Sequence, residues 1–500
     1  MTVTRRRLTA PQLIASAFDE DSWQSWDEPV SDPVNAAPGY LAALKVARER
    51  SGVDEAVLTG VGRLRGRRVA AVVGEFRFLA GSIGVATARR LVAAVERATR
   101  EGLPLIAAPT SGGTRMQEGT VAFLQMANMT RAVTEHKAAG LPYLVYLRHP
   151  TTGGVFASWG SLGHVTVAEP EALIGFLGPR VYELLNGREF PTGVQTGENL
   201  FAHGLVDAVL PPEQVTDLAV RTLDILCSPR HGLPRPSAVP TDELADVPAW
   251  ESVTRSRRID RPGVRALLRH AAQPVIPLHG TQQGETGSGM RLALARFGAA
   301  PAVVLGQDRR GQTLEGPLDP AALRTARRGM RLAEELRLPL VTIIDTPGAA
   351  LSKEAEEGGL AGEIARCLAD LVVLASPTLC VLLGEGTGGG ALALLPADRV
   401  IAAEHAWLSP LPPEGASAIV HRTVERAPEM AAAQGVRSRD LLANGIVDRI
   451  VAERPDAADE PEAFLARLGR VVEHELVGLL DSDPATRLAA RSDRYTHLGG

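Results

Sequence analysis

The stretches TSGG (110–113) and TGGV (152–155) each follow an apolar run in the first half of the chain, and each has a counterpart in the second half. The counterparts are DTPG (345–348) and TGGG (387–390), and both pairs are separated by the same 235 positions (345 − 110 and 387 − 152). The prolines that introduce the apolar runs keep the same separation. A constant separation without a gap predicts two similar halves, and two similar halves suggest one site for each of two reactants.

Apolar runs and helical spacings alternate in both halves. Short apolar runs at 103–108 and 141–147 follow helical patterns, and runs at 338–344 and 378–383 repeat this rhythm. Strands that alternate with helices predict βαβ units and mainly parallel sheets covered by helices. We therefore expect an α/β fold.

The division into domains is predicted from composition. Residues 1–235 and 263–500 hold the two similar halves, and residues 236–262, in a segment rich in proline and charged residues, are predicted to be a linker. Residues 455–490 have the pattern of a charged amphipathic helical tail at the end of the second domain.

Composition excludes several function classes. The chain has 500 residues, a net charge of −5 and three cysteines without a CxxC pair. A mildly acidic chain gives no electrostatic reason to bind nucleic acid or an acidic membrane surface. The cysteine spacing argues against a zinc ribbon or a disulfide framework. No signal peptide or long apolar segment is recognised, so we expect a cytoplasmic protein without a membrane span.

The glycine-rich turns are the candidate sites of chemistry. A strand that runs into a helix exposes backbone N–H groups, and glycine lets a ligand oxygen approach them closely. Two such N–H groups make an oxyanion hole. The alternative is that these are only tight strand-to-helix turns. We favour the interpretation as oxyanion holes because the turns occur at matching positions in the two halves.

Two segments partly match nucleotide-binding motifs, but the rest of the sequence does not support a nucleotide site. GEGTGG (384–389) satisfies the dinucleotide fingerprint GxGxxG, but its counterpart HPTTGG (149–154) lacks the first two glycines. DTPG imitates a GTPase element, but none of the three lysines, Lys45, Lys137 and Lys353, stands in a P-loop. The histidines do not form a ligand cluster, and we expect no metal in this chain.

At this point the residues identify a family. The first half resembles the β subunit of the acetyl-CoA carboxylase carboxyltransferase, and the second half resembles its α subunit. The motifs of the first half are FRFLAGSIG (76–84), SGGTRMQEG (111–119), PTTGGV (150–155), AEP (168–170), LIGF (173–176), GPR (178–180) and HGLVD (203–207). Those of the second are LHG (278–280), IDTPGA (344–349), GEGTGGGA (384–391), SP (409–410) and PEG (413–415). The resemblance covers roughly residues 12–455.

The resemblance implies a crotonase-like ββα superhelix in each half, with the halves related by internal duplication. It implies that the first half binds acyl-CoA and the second binds carboxybiotin on a separate carrier protein. The reaction transfers CO₂ from carboxybiotin to the α-carbon of an acyl-CoA of the acetyl-CoA or propionyl-CoA class. Biotin carboxylase and the biotin carboxyl carrier protein are the implied partners, and a homodimer or hexamer is the implied assembly.

The resemblance also implies which residues form the sites. The amides assigned to the thioester enolate oxygen are those of Gly153, Gly154 and Val155. The amides assigned to the ureido oxygen of biotin are those of Gly389, Gly390 and Ala391, although the 235-residue separation alone would place this group one residue earlier. The acyl-CoA side is assigned Gly81, Ser82, Ser111, Gly112, Gly113, Arg115, Gly178 and Ala393. The biotin side is assigned Gly348, Ala349, Gly388, Glu414 and Gly415.

Some of these assignments leave alternatives. Arg115 could contact a phosphate of CoA or form a structural salt bridge. Ala393 is expected to line the acyl pocket, and its small side chain would leave room for a longer chain. No lysine is flanked by methionine, so no biotin attachment site is recognised. The segment Ala350-Leu351-Ser352 departs from the family pattern, as does the absence of an N-terminal zinc ribbon.

Three other functions compete with the carboxyltransferase. A related enzyme could decarboxylate malonyl-CoA or methylmalonyl-CoA. A non-catalytic scaffold could keep the fold and bind partner subunits, but the glycine pairs are intact in both halves. A hydratase or isomerase of the crotonase type would need a positioned pair of glutamates at a single site and would leave the motifs of the second half unexplained.

Overall fold

The computed structural model describes residues 7–33, 36–237 and 244–496. The chain divides into two compact units. Unit 1 runs to Leu223 and includes Gln282–Gly284, whereas unit 2 comprises Asp224–Thr281 and the chain from Glu285 onward.

Unit 1 is built on a seven-stranded sheet with helices between its parallel strands. The strands of unit 1 are β1 (Gln24–Ser25), β2 (Val57–Leu64), β3 (Arg67–Gly74), β4 (Leu105–Ala108), β5 (Tyr143–Leu147), β6 (Thr151–Thr152), β7 (Val165–Ala168), β8 (Ile174–Gly175) and β9 (Ala208–Val209), and β6 and β8 lie outside the seven-stranded sheet. Its helices are α1 (Ala10–Ala17), α2 (Pro38–Ser51), α3 (Val85–Arg100), α4 (Gly119–Ala138), α5 (Pro179–Asn186), α6 (Gly197–Ala202) and α7 (Pro212–Leu226), which crosses the boundary between the units.

The strand order in this sheet is β1-β2-β3-β4-β5-β7-β9. The pairs β1–β2 and β2–β3 are antiparallel, and the pairs from β3 to β9 are parallel. The small strands β6 and β8 pair separately. The core packs α3 and α4 on this sheet through residues such as Leu91, Val95 and Met129.

Unit 2 contains an eight-stranded sheet. Its strands are β10 (Val275–Leu278), β11 (Met290–Phe297), β12 (Ala300–Gln307), β13 (Leu340–Thr346), β14 (Thr378–Thr387), β15 (Arg399–Ala403), β16 (Trp407–Ser409) and β17 (Arg449–Val451). Its helices are α8 (Ala249–Ser256), α9 (Val264–Ala271), α10 (Arg309–Leu314), α11 (Pro320–Leu336), α12 (Lys353–Glu357), α13 (Leu360–Val373), α14 (Gly388–Leu392), α15 (Pro413–His421), α16 (Ala427–Ala433), α17 (Ser438–Ala443), α18 (Pro461–Asp481) and α19 (Pro484–Asp493).

The main path of the second sheet has the same pattern as the first. Its order is β10-β11-β12-β13-β14-β15-β17, with two antiparallel pairs followed by four parallel pairs, and β16 is added beside β14. The registers also correspond, since Val73 lies opposite Ala108 in unit 1 and Gly306 lies opposite Ile343 in unit 2.

Local sequence explains where the elements begin and turn. The β2–β3 hairpin turns at Arg65 and Gly66, which have φ values of 44° and 83°; two successive positive φ values are those of the hairpin turn that fits the twist of the strands. Helix α11 begins at Pro320, and the Asp319 side chain accepts from the N–H of Ala322 at 2.7 Å. Both features are favoured at helix N-termini.

The alternating pattern predicted from sequence is confirmed, with two differences. Strand β14 continues through Gly384 to Thr387 because its end pairs with β16, so it is longer than the apolar run 378–383. The segment predicted as a linker, 236–262, contains helix α8, whose Val253 packs against the buried Trp407 and Val436 of unit 2. Among the described residues no helix is both long and apolar enough to cross a membrane.

Candidate active site

In unit 1 the two glycine-rich turns lie against each other. The N–H of Ser111 donates to Pro150 O at 2.6 Å, and the N–H of Thr152 donates to Ser111 O at 3.0 Å. A Cβ placed on Gly153 would lie 3.4 Å from the Cα of Gly113. The two turns, separated in sequence by about forty residues (113 to 153), therefore form one surface.

The N–H groups at 153–155 are not equivalent. The N–H of Gly153 is already used, since it donates to Gly175 O at 3.2 Å and to Phe176 O at 3.1 Å. The N–H groups of Gly154 and Val155 donate to no acceptor within the described part of the chain. Gly153 supplies the positive φ of 61° that the turn requires. The donors that remain for a ligand are therefore those of Gly154 and Val155.

Two side chains that the sequence analysis did not single out support this turn. The hydroxyl of Ser158 donates to Gly154 O at 2.6 Å. A Cβ placed on Gly154 would lie 3.2 Å from the Sδ of Met126. The Gly154 carbonyl belongs to the same peptide group as the N–H of Val155, and a hydrogen bond to the carbonyl polarises that N–H. Ser158 lies only four residues after Gly154, but residues 153–158 form a turn and not a helix, so no helical spacing marks it in the sequence.

The segment 80–84 lies beside the same turns, as the assignment of Gly81 and Ser82 requires. Gly112 donates to Ala80 O at 2.8 Å, and the N–H of Ile83 donates to Gly113 O at 2.9 Å. Gly81 has a φ of 64°, and a Cβ there would lie 2.2 Å from Thr110 O. Only glycine permits this approach between the two segments.

Arg115 is a buried structural residue. Its side chain is 1% exposed, and its Nη2 and Nη1 atoms bind the two carboxylate oxygens of Glu55 at 2.5 Å and 3.1 Å. Its remaining contacts are to Ser82, Thr87, Glu118 and Tyr40. Burial opposes the charged form, but the hydrogen bonds to Glu55 raise the pKa of the guanidinium above its ordinary value. All three nitrogens are engaged, so this geometry favours the salt bridge over a CoA phosphate contact.

Gly178 lies at the start of a partly exposed helix. It is the N-cap residue of α5, and its carbonyl accepts from Val181 and Tyr182. The neighbouring Phe176, whose carbonyl accepts from Gly153, is exposed, as are Leu184 and Leu185 of α5. Gly178 is thus linked to the amide turn through the segment 175–178.

Unit 2 repeats this construction. The N–H of Gly348 donates to the hydroxyl of Thr346 at 3.1 Å, as the N–H of Gly113 does to that of Ser111 at 3.0 Å. A Cβ placed on Gly390 would lie 3.3 Å from the N atom of Ala349. Gly348, Ala349 and Gly390 are therefore neighbours.

The N–H groups of unit 2 have the same arrangement as those of unit 1, at positions 235 residues later in the chain. Gly389 and Gly390 hold the second and third positions of α14, where an N–H has no carbonyl partner one turn back in the helix. Among the described residues, neither N–H group donates to an acceptor outside α14. Ala391, the third residue assigned to this group, follows them at the fourth position of α14. The amide pair at Gly389 and Gly390 thus corresponds to Gly154 and Val155.

The loop before Glu414 reaches this turn, whereas the Glu414 side chain is paired elsewhere. A Cβ on Gly388 would lie 3.3 Å from Pro410 O. Glu414 accepts from Arg257 Nη1 at 2.5 Å, and this hydrogen bond lowers the pKa of the carboxyl group. Gly415 follows in the first turn of α15.

The glycines of the apparent dinucleotide fingerprint have a packing role. Gly384 and Gly386 lie within β14, and a Cβ on Gly384 would lie 2.4 Å from Asp345 Oδ1. The same oxygen accepts from the N–H of Glu385 at 3.2 Å. Asp345 is buried, and burial raises the pKa of its carboxyl group to about 6.

Ala393 is fully buried behind the amide pair of unit 2. Its N–H donates to Gly389 O at 2.9 Å, and the half-exposed Leu392 precedes it. Across the described ranges, no group of three or more His, Cys, Asp or Glu side chains is arranged to hold a metal ion.

Known proteins resemble this chain along almost its whole length. Residues 3–481 match the family model described as carboxyl transferase domain. A protein of Mycobacterium tuberculosis named probable biotin-dependent acyl-coenzyme A carboxylase beta3 subunit is 59% identical over 494 residues, covering 99% of both chains. The acetyl-coenzyme A carboxylase carboxyl transferase subunits beta/alpha of Salinispora arenicola are 37% identical over 520 residues, covering 99% of this chain and 91% of that one.

A solved structure shares the fold. The transcarboxylase 12S structure, with methylmalonyl-coenzyme A and methylmalonic acid bound, matches with a TM-score of 0.72 and 20% identity, covering 92% of this chain and 89% of that one. The resemblance read from the motifs is confirmed by the family model and by both relatives. The chain belongs to the carboxyl transferase family and is a carboxyltransferase.

Proposed function

We propose that this chain is the carboxyltransferase component of a biotin-dependent acyl-CoA carboxylase, which transfers CO₂ from carboxybiotin on a separate carrier protein to the α-carbon of an acyl-CoA. The observation that carries the proposal is the pair of unpartnered N–H groups that each unit presents at corresponding positions. Two substrates that both develop a negative oxygen need two such pairs.

In unit 1, the N–H groups of Gly154 and Val155 bind the thioester oxygen of the acyl-CoA. When the α-proton leaves, negative charge accumulates on this oxygen, and the two N–H groups stabilise it as an enolate. Ser158 fixes the peptide group between Gly154 and Val155 through its 2.6 Å hydrogen bond. Each N–H donor of this kind contributes roughly 10²–10³ in rate.

In unit 2, the N–H groups of Gly389 and Gly390 fit an anionic oxygen in the same way, and they would hold the ureido oxygen of biotin. When bound, carboxybiotin supplies the CO₂ that adds to the α-carbon and the ureido nitrogen that accepts the α-proton. Gly348, Ala349 and Gly388 form the surface around this pair. Glu414 and Gly415 act through the loop that lies beside Gly388.

The acyl group is proposed to be acetyl or propionyl. The curated relatives are named for acyl-coenzyme A and for acetyl-coenzyme A, and the solved structure contains methylmalonyl-coenzyme A. One methylene in a pocket changes the free energy of binding by only about 1–3 kcal/mol. Ala393, which the resemblance assigns to the acyl pocket, is buried in unit 2 beside the amide pair of Gly389 and Gly390, and its effect on the choice of acyl group stays a prediction.

The domain division, duplication and partners belong to the same proposal. The identical order of strands in the two sheets supports duplication of one domain into acyl-CoA and carboxybiotin domains at 1–235 and 263–500. Biotin carboxylase and a biotin carboxyl carrier protein would be separate chains. The transcarboxylase 12S is a hexamer, which supports a homodimer or hexamer for this chain.

The experiment is the reverse reaction. Purified protein is incubated with malonyl-CoA or methylmalonyl-CoA, with and without biocytin, and the acyl-CoA products are measured by mass spectrometry. We expect loss of the carboxyl group only when biocytin is present, and the faster substrate names the acyl class. Loss without biocytin would identify a decarboxylase instead. No turnover of any acyl-CoA, even with a biotinylated carrier protein, would favour the scaffold.

A further inference from the structure

Two buried glutamine side chains hold the amide turn of unit 2 in place. Gln307 is the last residue of β12 and is 0% exposed, and Gln312 lies in α10 and is 7% exposed. Neither belongs to a motif that carries the family resemblance, and neither was singled out by the sequence analysis.

Gln307 joins the two turns of the site directly. Its Oε1 accepts from the N–H of Asp345 at 3.1 Å, and its Nε2 donates to Gly390 O at 2.6 Å. The orientation of the amide is fixed by its partners, because a backbone N–H can only donate and a carbonyl can only accept. One side chain therefore ties the end of β13 to the residue that carries a free N–H.

Gln312 holds the next peptide group of the same turn. Its Nε2 donates to Asp345 O at 3.0 Å, and its Oε1 accepts from the hydroxyl of Thr346 at 2.6 Å. That hydroxyl in turn accepts from the N–H of Gly348. The two glutamines thus bind both backbone groups of Asp345 and, through Thr346, the glycine turn that faces Gly390.

Unit 1 has no equivalent of Gln307. By strand register, Gly74 corresponds to Gln307. A Cβ placed on Gly74 would lie 2.7 Å from the N atom of Thr110, which corresponds to the N atom of Asp345. Unit 1 therefore packs its strand end directly on the turn, whereas unit 2 inserts a side chain between the two.

We propose that Gln307, supported by Gln312, is a positioning residue for the carboxybiotin side of the reaction. The inference rests on the proposed function. Without the Gln307 amide, the N–H of Asp345 and the carbonyl of Gly390 lose their partners inside the protein, and the turn shifts to recover them. A small displacement of the Gly389 and Gly390 donors weakens the binding of the ureido oxygen and leaves unit 1 unchanged.

The test uses the full-length chain and two variants. Gln307→Glu has the same shape and keeps the acceptor for Asp345 but loses the donor to Gly390, and Gln307→Met loses both. Transfer from malonyl-CoA or methylmalonyl-CoA to biocytin is measured as a function of both substrates. We expect kcat/KM for biocytin to fall roughly 10- to 100-fold. The Kd for the acyl-CoA, measured without biocytin, should stay within about twofold of the wild-type value.

The matched control is Leu468→Ala, a cavity in the buried part of α18, a helix that contains no residue of either turn, and this variant should lower Tm. If the Gln307 variants lose no more biocytin-dependent activity than this control at equal loss of Tm, or lose acyl-CoA binding in proportion, the inference is overturned. If one Gln307 variant does not fold, the other is compared with the control alone. Gln312→Glu is a third variant to which the same criteria apply. Absence of biocytin-dependent transfer in the wild type would instead overturn the proposed function.

Discussion

The two units present their free N–H groups at corresponding residues but hold them by different means. In unit 1 the Gly154 carbonyl is bound by the Ser158 hydroxyl, and in unit 2 the Gly389 carbonyl is bound by the backbone N–H of Ala393, the residue that corresponds to Ser158. At the end of the preceding strand, unit 1 has Thr110 where unit 2 has Asp345.

This difference shows that the proposed chemistry requires the positions of the donors, whereas the groups that support them can vary. Two anionic oxygens require two pairs of donors, and the positions of these pairs are the same in both units. The side chains behind the pairs are free to differ because they act only by fixing peptide groups. Variants at corresponding positions should therefore impair the same reaction through different substrates, the acyl-CoA in unit 1 and biotin in unit 2.

The largest effect is expected from displacing each amide pair with a valine side chain. Neither Gly154 nor Gly390 has a positive φ, but a Cβ would lie 3.2 Å from Met126 Sδ at the first position and 3.3 Å from Ala349 N at the second, so valine shifts the turn that carries the N–H donors. Gly154→Val and Gly390→Val should each lower kcat by at least about 10²-fold, the usual contribution of an oxyanion donor. Steady-state transfer to biocytin measures this effect.

The two variants should differ in which substrate they still bind. Gly154→Val should lose acyl-CoA affinity, whereas Gly390→Val should keep it within about twofold, since unit 2 is proposed to hold biotin. Gly478→Val is the control, because no atom lies within 4 Å of a Cβ at that exposed position. Equal loss of acyl-CoA affinity in both variants would contradict the assignment of one substrate to each unit.

The next effect concerns stability in unit 1 alone. Arg115→Leu leaves Glu55 buried without its cation, and breaking a buried pair in this way costs about 3–5 kcal/mol. Chemical denaturation measures the loss. If Arg115 instead contacted CoA, the variant would raise the KM for acyl-CoA with little change in stability. Glu55→Gln removes the carboxylate that pairs with Arg115 but no group proposed to face CoA. It should therefore also lower the free energy of unfolding and leave the KM for acyl-CoA little changed.

Sequence reasoning predicted the alternation of elements and the glycine turns because both leave a local signal. Strands of apolar residues, and glycines after them, can be recognised directly in the sequence. The resemblance placed the amides of unit 2 at Gly389 to Ala391 and the separation of 235 residues placed them at 388–390, so the sequence alone left the pair open. The choice of donors needed the structure, because the N–H of Gly153 is bound by carbonyls at 175 and 176. Gln307 and the partners of Arg115 depend on contacts between distant segments, and Ser158 acts within a turn that has no regular spacing, so none of them leaves a local pattern.

The difference between Thr110 and Asp345 makes unit 2 sensitive to pH. Burial raises the pKa of Asp345 from 3.8 to about 6, so the folded protein holds this proton more tightly than the unfolded chain. The contribution to stability is therefore fully present below about pH 4 and is lost as the pH rises to about 6. A shift of this size corresponds to about 3 kcal/mol.

Asp345→Asn removes this titration. The free energy of unfolding, measured by denaturation from pH 4 to 7 in both proteins, should show the variant gaining on the wild type between pH 4 and 6 and keeping a constant difference above that. Thr110→Val, at the corresponding position of unit 1, should show no such pH dependence. A constant difference between Asp345→Asn and the wild type across the whole range would mean that folding leaves the pKa of Asp345 unchanged.

The smallest effect is expected at Ser158, because the hydroxyl acts on the donor through one peptide group. Ser158→Ala removes the 2.6 Å hydrogen bond to Gly154 O, and a hydrogen bond of this kind is worth about 1 kcal/mol, or roughly fivefold in rate. We expect kcat/KM for the acyl-CoA to fall by this factor, with KM for biocytin unchanged. Ser158→Thr keeps the hydroxyl and should recover most of the activity. Equal activity of the alanine variant and the wild type would mean that unit 1, like unit 2 with its Ala393, can hold its amide pair by the backbone alone.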